Sequence, residues 1–187
     1  VVMVTINAVN FVDGLDGLAA GIVAIAAASF FGFAYLLAVE NGFSRAGAPS
    51  LFTAIAIGSC LGFLPHNIYP ARIFMGDSGS MFLGLVLAAS AITLMGQIDA
   101  NAVFSENIGP ALLPLLLPFA VLAVPLLDFA LAIFRRTRRG KSPFAPDKEH
   151  LHHKLMDYGN SQQRTVFILY LLTATLALPA MLSAFTS

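Results

Sequence analysis

LFTAIAIGSCLGFLPHNIYPARIFMGDSGSMFLGLVLAASAITLMG, residues 51–96, decides the fold class. Two apolar runs, 51–66 and 80–96, flank a polar connection at 65–79 that carries a histidine, an asparagine, an arginine and an aspartate. A bilayer takes about 20 helical residues to cross, so both runs read as short membrane spans. Their ends are expected below the membrane surface, lining a cavity where irregular backbone is tolerated.

Three further runs lie outward of this pair, at 17–39, 110–134 and 165–185, and residues 1–9 read as the tail of another span. Pro114, Pro118 and Pro125 remove backbone donors inside 110–134, so that helix is expected to kink or break. Composition agrees with a lipid environment. Hydrophobic residues make up 58% of the 187 and charged residues only 11%, where a water-soluble domain is nearer a quarter charged. Mean hydropathy is +0.82. The expected fold is all-α: a single membrane-embedded domain over 1–187, a polytopic helix bundle with five full spans and a partial first one. Cys60 is the single cysteine, so no internal disulfide forms. The chain opens on VVMVTINAVN without a start Met, and is read as beginning part-way through a longer protein.

Threading these spans through a membrane sorts the connections onto two faces. The segment before 17 and the connections 65–79 and 135–164 share one face, which collects nine of the ten Lys and Arg. The other face has only Arg45. The cation-rich side of a helical membrane protein is the cytoplasmic one. It also holds all four histidines and Asp13, Asp16, Asp77, Asp147, Glu149 and Asp157. A transporter more often sets ionisable groups near the midplane along a path. This one-sided arrangement reads instead as a cytoplasm-facing active site.

Three constellations make up that face. In NAVNFVDGLDGLAAG, residues 7–21, Asn7, Asn10, Asp13 and Asp16 recur every three residues and would form a slowly drifting stripe on a helix. The same stretch also reads as a turn capped by aspartates, with Gly17 and Gly21 as a small-xxx-small packing face. In GDSGS, residues 76–80, glycines directly before a new helix would let backbone N–H groups face an anion. Asp77 there offers a hard oxygen suited to Mg²⁺. A capped turn with Ser80 as N-cap is the plainer alternative. Phe74 nearby suits a lipid anchor or a stacking surface for a base.

The third constellation, RRTRRGKSPFAPDKEHLHHKL, occupies residues 135–155. Its basic run is a topology anchor beside anionic lipid, and would equally attract a polyprenyl phosphate or a nucleotide diphosphate. His150, His152 and His153 crowd three imidazoles into four residues of an expected loop. Without a thiolate or an i, i+4 histidine pair they suit phosphate contact or proton transfer better than zinc.

The order NxxNxxDGLDGLA, then HNIYPARIFMGDSGSMFLG, then KSPFAPDKEHLHHKL resembles the polyprenyl-phosphate N-acetylhexosamine-1-phosphate transferases, over about residues 4–158. It is most similar to the UDP-GlcNAc branch, since the phospho-MurNAc-pentapeptide transferase branch typically reads GDVGS and HHH where this chain has GDSGS and HLHH. The resemblance implies a Mg²⁺-dependent enzyme that transfers GlcNAc-1-phosphate from UDP-GlcNAc to a polyprenyl phosphate, releases UMP and initiates a cell-envelope polysaccharide. It implies Asp77 as the metal ligand, with Asn67 and Phe74 holding and stacking uracil. Asp13 and Asp16, with Asn7 and Asn10, would line the nucleotide pocket. His150, His152 and His153 would close on the diphosphate or sugar, with Arg135, Arg136 and Arg139 drawing in anionic substrate. Mn²⁺ as the cation and a homodimer as the assembly are compatible with it; nucleic acid is not an expected partner. The family also carries an adjacent aspartate pair on an earlier loop, and this sequence has none. This chain alone is therefore expected to be inactive. A membrane transporter and a non-catalytic membrane fragment are the competing readings.

Overall fold

The computed structural model describes residues 2–40, 47–96, 119–120, 122–140, 142 and 151–182. Among the described residues all regular structure is helical: α1 (Val2–Val12), α2 (Leu18–Glu40), α3 (Gly47–Asn67), α4 (Gly76–Met95), α5 (Ala123–Arg138), α6 (Leu151–Asp157) and α7 (Gln162–Leu182).

The centre of the bundle is α2, which packs against α3, α7, α4 and α1. Its sequence explains the position: Ala19, Ala20, Ala26, Ala27 and Ala34 are all buried, and small side chains let neighbouring helices approach closely. Phe30 and Phe33 fill the space that the alanines leave. Around them Leu83, Leu87, Ala91 and Leu94 of α4 and Ala56 and Cys60 of α3 complete the main core. By contrast α3 turns Leu51, Phe52, Ile55 and Leu61 outward. A helix apolar on every side and half uncovered belongs in lipid. Among the described residues three helices, Leu18–Leu36 within α2, α3 and α4, are long and apolar enough to cross a membrane.

Two expectations change. The runs 51–66 and 80–96 were expected to be short spans, but α3 has 21 residues and α4 has 20. Helix continues through polar residues at the connected ends: α3 runs past Pro65 to Asn67, and GDSGS is the first turn of α4 rather than a loop before it. Small polar residues propagate an established helix readily once tertiary packing supports it. Of the three prolines, Pro125 is the third residue of α5, where a missing N–H costs nothing because no intrahelical acceptor exists. A turn at Leu122 precedes it, so helix begins afresh there. Pro114 and Pro118 lie outside the described residues.

The helices gather their polar ends at one side. The turn 13–17 between α1 and α2 meets the connection 68–75 between α3 and α4, and α6 packs against α7 beside them.

Candidate active site

The α1–α2 turn is built by its own backbone and then tied to its neighbour. Asp13 N–H donates to Asn10 C=O (3.2 Å) and Gly14 N–H to Val12 C=O (2.7 Å), ending α1. Gly17 has φ +78°, a conformation that favours glycine, and α2 starts directly after it. The predicted helical stripe is therefore broken: Asn7 and Asn10 are on α1, while Asp13 and Asp16 are on the turn. Asn7 donates to Met3 C=O (2.7 Å) of its own helix.

Asp16 Oδ2 accepts from Ala71 N–H (3.1 Å), and Asn67 Oδ1 accepts from Gly17 N–H (3.0 Å). Asn67 is buried, and its Nδ2 donates to Ile73 C=O (2.9 Å). Arg72 and Ile73 N–H groups both turn back to His66 C=O. Asn67 thus uses both ends of its amide to hold the turn 13–17 and the connection 68–75 together. From α1, Asn10 Nδ2 donates to Asp77 Oδ1 (3.2 Å) and to Ser80 Oγ (2.9 Å). Ser80 Oγ in turn donates to Gly76 and Asp77 carbonyls, so the alternative of Ser80 as N-cap fails: it lies inside α4. Met75 occupies the cap and gives no side-chain bond, so side chains do not cap the opening N–H groups of α4.

These segments enclose a cleft of about 270 Å³ lined by Asp13, Gly14, Leu15, Asp16, Asn67, Phe74, Met75, Gly76 and Asp77. Burial, and then the nearby negative charge of Asp77, push the Asp13 carboxyl above the ordinary carboxylate range. Phe74 is 77% exposed at the edge of the cleft. Among the described residues no group of three or more His, Cys, Asp or Glu is placed to hold one ion. Two mutually repelling carboxylates facing a phosphate-sized space still suit Mg²⁺, which takes one or two carboxylates plus substrate phosphates. The residues fit such an ion.

The histidines were expected on a loop. His152 and His153 are instead on α6, and His152 is only 3% exposed. Its ring fills the space beside Gly14: a β-carbon added there would fall 2.5 Å from Nε2. The helical path explains this, because it turns His152 inward toward Leu18, Ile22 and Leu169 while His153 stays half-buried beside it (ring centroids 4.3 Å apart). Asp128 of α5, 3% exposed, accepts from Leu151 N–H (2.8 Å) and ties the start of α6 to the bundle. His150 lies outside the described residues. Arg136 is also buried, its guanidinium 5.6 Å from the Phe11 ring centroid, and Phe11 stacks on Phe129 (5.5 Å). Arg139 is exposed. Neither the two described histidines nor Arg135, Arg136 and Arg139 line the cleft itself.

Two participants escaped the sequence reading. Phe11 looked like one more apolar helix residue. Tyr170, in α7, donates its hydroxyl to Gly17 C=O across 153 positions of sequence. Only the small-xxx-small reading of Gly17 and Gly21 hinted at something large packing there, and a methyl at Gly21 would overlap the Tyr170 ring.

Comparison with known proteins adds independent findings. Residues 1–95 match the model of Glycosyl transferase family 4. The decaprenyl-phosphate N-acetylglucosaminephosphotransferase of Mycobacterium tuberculosis (strain ATCC 25618 / H37Rv) is 49% identical over 181 residues, covering 96% of this chain and 45% of the relative. The probable undecaprenyl-phosphate N-acetylglucosaminyl 1-phosphate transferase of Bacillus subtilis (strain 168) is 39% identical over 166 residues, covering 89% and 41%. The phospho-N-acetylmuramoyl-pentapeptide-transferase of Clostridioides difficile (strain 630) is 34% identical over 189 residues, covering 99% and 50%. The chain spans about half the length of the curated relatives it matches.

Proposed function

The chain belongs to Glycosyl transferase family 4, and on that premise we propose that its protein transfers GlcNAc-1-phosphate from UDP-GlcNAc to a polyprenyl phosphate. The observation that carries the reading is the cleft in which Asp13 and Asp77 face each other beside an uncapped helix start and the exposed Phe74 ring. Resemblance to the decaprenyl-phosphate N-acetylglucosaminephosphotransferase at 49% identity over 96% of the chain, against 34% over 99% for the muramoyl-pentapeptide enzyme of Clostridioides difficile, favours GlcNAc as the sugar.

In this reading an oxygen of the lipid phosphate attacks the β-phosphorus of UDP-GlcNAc. The bond from that phosphorus to the bridging oxygen breaks, UMP leaves, and the sugar remains on a lipid-linked pyrophosphate. Little covalent work falls to the protein, which positions the reactants and neutralises charge. Asp77, with Asp13, would hold Mg²⁺, which supplies neutralisation of the diphosphate. Asn10 fixes the Asp77 carboxylate through one of its oxygens, Oδ1. The N–H groups at the start of α4 face the same charge. Phe74 offers its ring to uracil, and Asn67 holds the pocket wall. Asp16 sets the position of the 68–75 connection through Ala71. His153, with His150, would reach the diphosphate or sugar, while the buried His152 fixes α6 over the Asp13 turn. Arg135 and Arg139 draw the anionic substrates toward the same end.

The helix count proposed for this chain remains five spans and a partial first one, with the site on the cytoplasmic face of the bacterial plasma membrane, as the nine-to-one division of cations supports. UMP release by the full-length protein from UDP-GlcNAc, polyprenyl phosphate and Mg²⁺ tests the reading. Release with UDP-MurNAc-pentapeptide alone would move the substrate to the other branch, and release with neither would sink the assignment.

A further inference from the structure

The turn that carries Asp13 and Asp16 is clamped at one residue, Gly17, from two helices distant in sequence. Its N–H donates to Asn67 Oδ1 of α3 (3.0 Å). Its C=O accepts two bonds, one from Gly21 N–H (3.0 Å) and one from the Tyr170 hydroxyl of α7. Every hydrogen-bonding group of Gly17 is thus used, and a carbonyl with two lone pairs has both engaged. The ring that delivers the hydroxyl is seated by shape as well, since the bare Cα of Gly21 leaves the space that the Tyr170 ring occupies. Gly17 has φ +78°, so the backbone direction leaving Asp16 turns at this point, and a shift of Gly17 moves Asp16 and Asp13 together.

We propose that Tyr170 is a positioning residue of the transferase site, its hydroxyl holding Gly17 so that Asp13 and Asp16 keep their spacing from Asp77. It lies outside the residues that line the cleft. Its action is through the turn. A site made of two repelling carboxylates tolerates little drift, because repulsion itself favours separation of Asp13 from Asp77 in the absence of a cation. A bond from α7 opposes that drift. The catalytic part of this inference rests on the function proposed above, whereas the clamp does not.

The test compares wild type, Tyr170→Phe and Thr173→Val in the full-length protein. Tyr170→Phe keeps the ring in its seat and removes the hydroxyl alone. Thr173→Val removes a buried hydroxyl of the same helix that, among the described residues, bonds its own Leu169 C=O (2.8 Å). Hydrogen exchange without substrate reads the clamp: peptides spanning 10–22 should exchange about fivefold faster in Tyr170→Phe, and at the wild-type rate in Thr173→Val. UMP release reads the consequence. Losing one hydrogen bond predicts a kcat about tenfold lower, a UDP-GlcNAc KM within about twofold of wild type, and a raised Mg²⁺ concentration for half-maximal rate. A purely structural role would leave the Mg²⁺ midpoint unchanged. Unchanged exchange in Tyr170→Phe overturns the clamp. Faster exchange with wild-type kinetics and an unmoved Mg²⁺ midpoint overturns the positioning role. A wild-type protein that releases no UMP would instead count against the proposed function, with exchange still deciding the clamp.

Discussion

At the scale of single residues, two carboxylates carry the argument. Asp77 is the exposed acid in the first turn of α4, oriented by Asn10 and placed beside Asp13. Asp77→Asn keeps the size and the Asn10 contact but removes the charge that the proposed reaction places next to the transferring phosphate. Turnover should fall by about 10³-fold, with expression and thermal unfolding near wild type, in a UMP-release assay at limiting Mg²⁺. Retention of a large part of the activity would remove Asp77 as a ligand. Asp13 makes a pH prediction of definite sign. Its pKa is raised in the folded protein by burial and by Asp77, so the native state keeps a proton that the unfolded chain has lost. Without divalent cation, stability should therefore decrease as pH rises from the ordinary carboxylate value of 3.8 through the raised one, and the cost should be complete above it. Asp13→Asn should raise the thermal midpoint in EDTA at neutral pH, with the difference shrinking on acidification. In an Asp77→Asn background the profile should move to lower pH, because one of the two causes has been removed. A pH-independent difference would mean that Asp13 carries no raised pKa.

Among the elements, α6 is the short one tied at its start to a distant helix. Seven residues cannot hold a helix in isolation, and this one is fixed by Asp128 at its start and by packing on α7 and Gly14. Asp128→Ala leaves the Leu151 N–H without that acceptor, at a cost of about 1–3 kcal/mol. Exchange of residues 151–157 should then accelerate and kcat should drop, as the histidine-bearing helix loses its register over the turn. Asp128→Asn retains an oxygen that can accept the same bond and should recover much of both. If the alanine and asparagine variants behaved alike, the Leu151 bond would not be what holds α6. Nothing in the sequence connects Asp128 with His152, 24 positions on. Nor could helical periodicity show that His152 turns inward, since the segment is too short for a period to be read.

Over the whole molecule, the described segments that carry Asp13, Asp16, Asn67 and Asp77 meet at one cleft of an apolar bundle. Single cysteines at Ser44 and Ser142, in a Cys60→Ser background, should label from opposite sides of intact cells. Labelling from one side would discard the threading and the shared cytoplasmic face with it. The helical class was legible from apolar runs because lipid demands that every backbone group be satisfied within the segment, a constraint that acts locally. The grouping of Asn10, Asp13, Asp16, Asn67 and Asp77 was legible as well, through motif order and alternating span direction. Their hydrogen bonds were not. That Asn67 spends its amide on Gly17 and Ile73, that Asn10 reaches both Asp77 and Ser80, and that GDSGS opens a helix rather than preceding one all depend on how α1, α3 and α4 pack. Arg136 over Phe11 and Tyr170 on Gly17 join residues more than a hundred positions apart. Sequence alone determined the apolar helices and the acids and histidines available between them. Tertiary structure decided which of them meet, because apolar spans pack by shape and small-residue gaps, and the pairing that results has no local periodicity to announce it.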